Sequence, residues 1–240
     1  KGLRAMGTLD HVFLQKGAGL LASMGLDKAL ALLQHSNSMV RNAAAEALAE
    51  LGRDSGPTVT EALLPLLKDR HSNPSTGGVA AAKALLKMGK VVPVLAALED
   101  AGSSFQGQVI PALADRKDAA SIQAVVRLSK SPDWQIRYMA FQSLSRMDRR
   151  EAALCGPGLL ESQEQKHVRD YIVQTLISLK EPAAVPLLAA LLDHADLELQ
   201  GLAASALGQL NGQHWTSQEV AAAKAWWAQH KDDAKYQAKP

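Results

Sequence analysis

The sequence predicts an all-α protein built from about six stacked helix pairs. Three observations carry this expectation. Apolar residues recur at helical spacing along nearly the whole chain, and no stretch alternates apolar with polar residues as a half-buried strand would. The pattern also repeats: Leu48, Leu85, Leu113, Leu144, Leu176 and Leu207 are equivalent, separated by 37, 28, 31, 32 and 31 residues. Finally, 47% of the residues are hydrophobic but only 4% are aromatic, with Ala and Leu dominant. Small side chains suit thin helices that pack closely, not a core filled by bulky groups.

Residues 1–9 read as a lead-in. Asp10 to Met24 carries a helical pattern (Val12, Phe13, Leu20, Leu21, Met24) weakened by Gly17 and Gly19, and is expected to be a degenerate capping helix. Pairs follow at 26–34 with 37–51, 57–69 with 76–88, 90–100 with 104–115, 118–130 with 133–147, 151–161 with 164–179, and 182–193 with 196–210. The clearest helix is 37–51, with Asn37 as N-cap, Gly52 as closing residue, and Val40, Ala44, Ala47, Leu48 and Leu51 on one face. Pro65, Pro93 and Pro186 recur inside apolar runs of the first helices. An interior proline costs about 3 kcal/mol, so their matching positions predict a built-in bend. The second pair carries an enlarged loop at His71 to Ser75, and Gly102, Gly107 and Pro111 interrupt the third, predicting a bend or hinge near 100–112. A last helix is expected from Ser217 to about His230, with a frayed end. The organisation is therefore 1–25 as an N-terminal cap, 26–211 as the repeat array and 212–240 as a C-terminal cap and tail.

Val40-Arg41…Ala44…Leu48, Ile136-Arg137…Ala140…Leu144 and Val168-Arg169…Ile172…Leu176 share one core pattern, and Leu199-Gln200…Ala203…Leu207 is close to it. With two helices per unit, this pattern resembles the HEAT family, especially its short bacterial PBS-lyase-like form, over about residues 26–211. The resemblance implies a right-handed α-α superhelix, a HEAT-like solenoid, whose second helices line a concave face. One helix pair cannot bury its apolar stripe alone, so neighbours must stack. The recurrent Arg41, Arg137 and Arg169 are expected to reach acidic or carbonyl groups of the adjacent unit. The tail, with Trp215 and then Trp226-Trp227, looks like those of HEAT arrays in extracytoplasmic bacterial proteins; by itself it reads as a helix covering the open end of the stack.

Lys and Arg number 26 against 24 Asp and Glu, a net charge of +2, too balanced to indicate a nucleic-acid or membrane-surface protein. The single Cys155 rules out an internal disulfide and leaves the compartment open, cytoplasmic or extracytoplasmic. No apolar run is long enough for a membrane span. The chain starts at Lys1 without a methionine, as a processed or excised piece would.

Candidate chemistry is sparse. Gly17-Ala-Gly19-Leu-Leu-Ala22 fits a loose dinucleotide fingerprint but lacks the strand, the βαβ context and the acid that it needs. The seven histidines form no metal-ligand spacing. The HEAT-type di-iron hydroxylase family uses His-Glu dipeptides, and this chain has none. His35 and His194 are expected to cap the first helices they end. Cys155 precedes Gly156-Pro157-Gly158 with no adjacent base, so an inert thiol is expected. A glycosylase-like reading would use Asp133, Trp134, Arg137 and Tyr138. Residues 115–150 are basic, eight Lys/Arg to four acids, but 151–200 hold eight acids to three bases and would repel a duplex. Asp133 also stands where Asn37 and Asp196 stand, as an N-cap.

The expected function is a non-enzymatic, monomeric scaffold that binds a protein partner, with no cofactor, no metal, no nucleic acid and no membrane span. The alternative is a catalytic HEAT-type protein, a nucleic-acid glycosylase-like enzyme or a chromophore lyase subunit. Of the two concave rows, the one beside the recurrent Arg and the one four residues on, only the fourth and fifth pairs place large functional groups in both. Trp134, Tyr138, Gln142, Asp170 and Gln174 are therefore the candidate contact residues, while Phe141 reads as core.

Overall fold

The computed structural model describes residues 25–54, 56–69, 77–161 and 166–236. The N-terminal segment with its degenerate helix, Gly17, Gly19 and His11, and the loop around His71, lie outside the described residues. Every described element is helical. In chain order these are α1 (Leu26–Leu32), α2 (Ser38–Asp54), α3 (Gly56–Leu63) continued by a 3-10 turn (Leu64–Asp69), α4 (Gly77–Lys87), α5 (Val91–Glu99), α6 (Ser103–Ala114), α7 (Ala119–Leu128), α8 (Trp134–Met147), α9 (Arg149–Glu161), α10 (Lys166–Leu179), α11 (Ala184–Ala190) with a 3-10 turn (Leu191–Asp193), α12 (Leu197–Leu210) and α13 (Val220–His230). No described helix is long and apolar enough to cross a membrane. The six equivalent leucines, Leu48 to Leu207, are all fully buried, as the repeat requires of the side chain each pair closes around. The chain parts into two compact units, Lys1–Leu113 and Ala114–Pro240.

In the first unit α1 packs on α2, α2 on α4, and α3 with its 3-10 turn against both α2 and α4. Gly77 to Ala82 of α4 are buried without interruption. A Cβ at Gly77 would stand 2.7 Å from the Leu33 carbonyl oxygen, so only glycine lets α4 meet the end of α1. Gly52 does not close its helix as the sequence suggested: α2 runs on to Asp54, and the missing Cβ is the space filled by the Met88 side chain, whose Sδ would lie 2.7 Å away.

The recurrent prolines need no bend. Pro93 and Pro186 are the third residues of α5 and α11, inside the first turn, where a backbone N–H has no partner within the helix. At Pro65 the chain has already passed from α3 into the 3-10 turn. Gly107 and Pro111 do not break α6, which is continuous from Ser103 to Ala114 with Pro111 exposed.

In the second unit α7 pairs with α8, α9 lies against α8, α10 and α11, and α12 lies against α10 and α11. The first helices α9 and α11 thus form one layer and the second helices α10 and α12 another. Gly156 makes the α9 approach possible, since a Cβ there would stand 2.7 Å from Leu176 Cδ2 and 3.0 Å from Phe141 Cε2. Asp133 caps α8 by accepting from the Gln135 N–H, and Asp196 caps α12 by accepting from the Glu198 N–H, each at 2.9 Å. Two residues earlier, His35 Nδ1, Ser131 Oγ and His194 Nδ1 accept the N–H of Asn37, Asp133 and Asp196 at 3.1, 3.2 and 3.0 Å. The two histidines therefore cap the turn into the following helix, through an unprotonated nitrogen, and not the carbonyl end of the helix they follow.

The recurrent arginine is divided between two tasks. Arg41 Nη1 donates to the His35 and Ser36 carbonyls at 2.6 and 2.8 Å, and Arg137 Nη1 to those of Ser131 and Pro132 at 2.7 and 2.8 Å. These carbonyls belong to the turn of the same pair; the neighbouring turns expected from sequence for Arg41 and Arg137, at 70–76 and 162–165, lie outside the described residues. Gln200 Nε2 does the same to His194 O at 2.6 Å. Among the described residues, Arg169 crosses to the next pair, with Nη1 3.2 Å from both Asp196 Oδ2 and Glu198 Oε2.

Candidate functional site

The Asp133 cap and the Arg137 bonds fix where α8 begins, and this places Trp134, Tyr138 and Gln142 one turn apart along a single strip. Gln142 Nε2 donates to Tyr138 Oη at 3.0 Å, which holds the ring down along the helix. The ring meets Tyr171 of α10 edge-on, with centroids 5.6 Å apart and planes at 69°. Burial, and then the neighbouring Tyr171, raise the Tyr138 phenol above its ordinary value of 10.0, against the opposing effect of the Gln142 bond. The phenol is therefore neutral at physiological pH and acts as a hydrogen-bonding apolar surface.

Trp134 is 36% exposed and Tyr171 41% exposed. Asp170 and Gln174 are exposed on α10, one turn apart. Of the five residues singled out from sequence, the structure joins Tyr138 to Gln142 directly and sets Asp170 and Gln174 on the neighbouring helix; Phe141 is fully buried in the core. Tyr171 was missed. It belongs to the register one step beyond the row considered, and the contact of one helix with the next is made across that step.

Cys155 is half-buried on α9, in a cleft of about 520 Å³ bordered by Ser129, Arg137 and Glu151. Burial pushes its thiol up to about 12, and Sγ lies 3.4 Å from the Ala152 carbonyl oxygen. At neutral pH it is a protonated thiol and a poor nucleophile. Among the described residues no three His, Cys, Asp or Glu side chains come together as a metal site would require.

The tail forms an aromatic cluster. Trp226 meets Trp215 and Tyr236 edge-on at 5.8 and 5.9 Å and stacks on His230 at 4.6 Å, and Trp227 meets Tyr236 at 5.9 Å. Tyr236, beyond the point where fraying was expected, is buried and its hydroxyl donates to Asn211 Oδ1. With Lys224 paired to Asp193 at 2.7 Å, the cluster fastens α13 onto α11 and α12.

No curated protein matches the chain at a significant level. Two family models do. Residues 26–55 match the HEAT repeat, covering α1 and α2, and residues 168–194 match the PBS lyase HEAT-like repeat. The second match begins on the second helix of one pair and ends on the first helix of the next, so the two models phase the same repeat differently. With the paired helices and the buried leucine at each equivalent position, these matches show repeats of the HEAT type at residues 26–55 and 168–194 of the chain.

Proposed function

We propose that the chain is a non-catalytic scaffold that holds a protein partner on the strip formed by Trp134, Tyr138 and Gln142 of α8 with Asp170, Tyr171 and Gln174 of α10. The observation that carries this reading is the edge-on Tyr138–Tyr171 pair beside an exposed Trp134. In a chain with 4% aromatic residues, three large rings on adjoining helices and partly open to solvent are a concentrated apolar surface. Tyr and Trp are enriched where partners bind, because they supply much contact area with few rotatable bonds. Asp170 and the two carboxamides give the polar rim that fixes orientation. The neutral Cys155 thiol supports the non-catalytic part of the reading.

The test is capture on the immobilised protein from native cell extract, followed by titration of the purified partner. Trp134→Ala with Tyr171→Ala removes exposed rings and should weaken binding about 30-fold, the equivalent of ~2 kcal/mol. The melting temperature should hardly move. Undiminished affinity, or a collapse of stability in its place, would show that the rings serve the stack.

A further inference from the structure

A second surface lies on the other layer of the same unit. α9, α11 and the tail enclose a cleft of about 680 Å³, open to solvent along one side. Its walls are apolar: Leu154, Pro186 and Leu187 from the first helices face Trp227 and Tyr236 from the tail. Leu154 is 40% and Leu187 38% exposed, so the stack leaves both partly uncovered. The rim is basic. Arg150, Lys231 and Lys235 line it against one acid, Glu181, which Arg149 already engages at 3.3 Å. Lys235 is held in place, its Nζ 4.5 Å from the centre of the Tyr236 ring.

We propose that this cleft docks an acidic peptide segment carrying bulky apolar anchors. The shape favours a chain segment over a small molecule, since small-molecule sites bury most of their ligand and this cleft is open along its length. The chemistry favours an acidic one. Anchors that fill the space between Leu187 and Trp227 carry their flanking carboxylates past the lysines, whose long stems let the ammonium groups follow them. Charges of this kind act over about 10 Å at ordinary ionic strength, which confines the selection to the rim itself. The site shares no residue with the α8–α10 strip and does not depend on it.

The probe is a short fluorescein-labelled peptide in which Glu and Asp surround leucine and phenylalanine, with a counterpart carrying Lys at every acid. Anisotropy titrations on the whole chain should show the acidic peptide binding at least ~10-fold tighter than its lysine counterpart, with the difference shrinking as salt rises. Lys231→Glu with Lys235→Glu should abolish that preference. Leu187→Ser, on the opposite wall, should weaken the acidic peptide ~10-fold by removing an apolar contact, and Trp134→Ala with Tyr171→Ala should leave it unchanged. All these positions are exposed or half-exposed, and circular dichroism should confirm the fold of each variant. Failure of the acidic peptide to bind, equal binding of the lysine peptide, unchanged binding in the charge-reversed variant, or loss in the Trp134/Tyr171 variant would each overturn the proposal.

Discussion

Ser217 rests on Gly201: a Cβ at residue 201 would stand 2.8 Å from both the Ser217 Cβ and its carbonyl oxygen. Gly201 is the equivalent of Tyr138, whose ring meets Tyr171 of the next second helix. The chain after α12 therefore lies where another second helix would. Gly208, two turns along, repeats the relationship with the Trp215 N–H nitrogen 3.0 Å from its would-be Cβ.

Gly201→Ala should accordingly destabilise the protein by about 1–3 kcal/mol in urea unfolding, because the atoms it meets include fixed backbone. This outweighs the ~1 kcal/mol by which alanine favours a helix interior. Gly52→Ala is the control. Its new methyl meets only the end of the flexible Met88 side chain, so it should be neutral or mildly stabilising. Equal responses of the two variants would show that Ser217 does not press on α12.

Removing residues 214–240 takes away more than one contact. It strips the aromatic cluster from α11 and α12, uncovers the strip at Gly201 and Gly208, and leaves Asn211 without the Tyr236 hydroxyl. A stack that ends on an uncovered apolar face aggregates. Light scattering should show association of the truncated chain and calorimetry a lower melting temperature. A monomer of unchanged stability would mean that Trp226 and Trp227 are not a cap.

Four second helices are followed by a residue with positive φ: Gly89 at 77°, Lys117 at 54°, Lys180 at 54° and Gly212 at 71°. Two of these are glycine, which adopts that conformation without strain; the two lysines do not. Lys117→Gly and Lys180→Gly should each be neutral to stabilising by up to about 1 kcal/mol, the strain relieved being partly offset by the freer unfolded chain. Substitution by Val at either position should destabilise, and denaturant midpoints will order the three residues at each site.

Much of the fold was legible because the repeat supplies its own register. Once Leu48, Leu144, Leu176 and Leu207 are aligned, the helix pairs around them follow, and all are buried. What was not legible depends on how one helix meets another. Gly52 reads as a terminator in isolation and proves to be a space for Met88. Gly156, inside the helix expected over 151–161, proves to be the close approach of α9 to Phe141 and Leu176. Tyr171 and Tyr236 carry no local motif, and only the register between neighbouring elements brings them to Tyr138 and Asn211. The cleft beside Trp227 is assembled from three separated segments, and only their packing brings them together.

Arg137 and Arg169 hold equivalent positions and should respond differently to the same change. Gln200 shows that a carboxamide can reach the turn carbonyl, at 2.6 Å. Arg137→Gln should therefore be tolerated, the more so because its buried Nε lacks a hydrogen-bond partner. Arg169→Gln removes the two contacts to Asp196 and Glu198 of the next pair from a side chain that is itself buried, and should lower the melting temperature by a few degrees more. The difference should depend on pH. The Glu198 N–H foremost, with Arg169 adding to it, holds the Asp196 carboxyl below its ordinary 3.8. A depressed carboxyl stabilises the fold above its unfolded value and loses that contribution as pH falls through the folded one. The gap between Arg169→Gln and the parent should thus be full at neutral pH and narrow as pH falls below about 4, where Asp196 takes up its proton. Asp196→Asn, which keeps an N-cap but no charge, should flatten that acid limb. A gap that persists unchanged in acid would mean that Arg169 acts by packing alone.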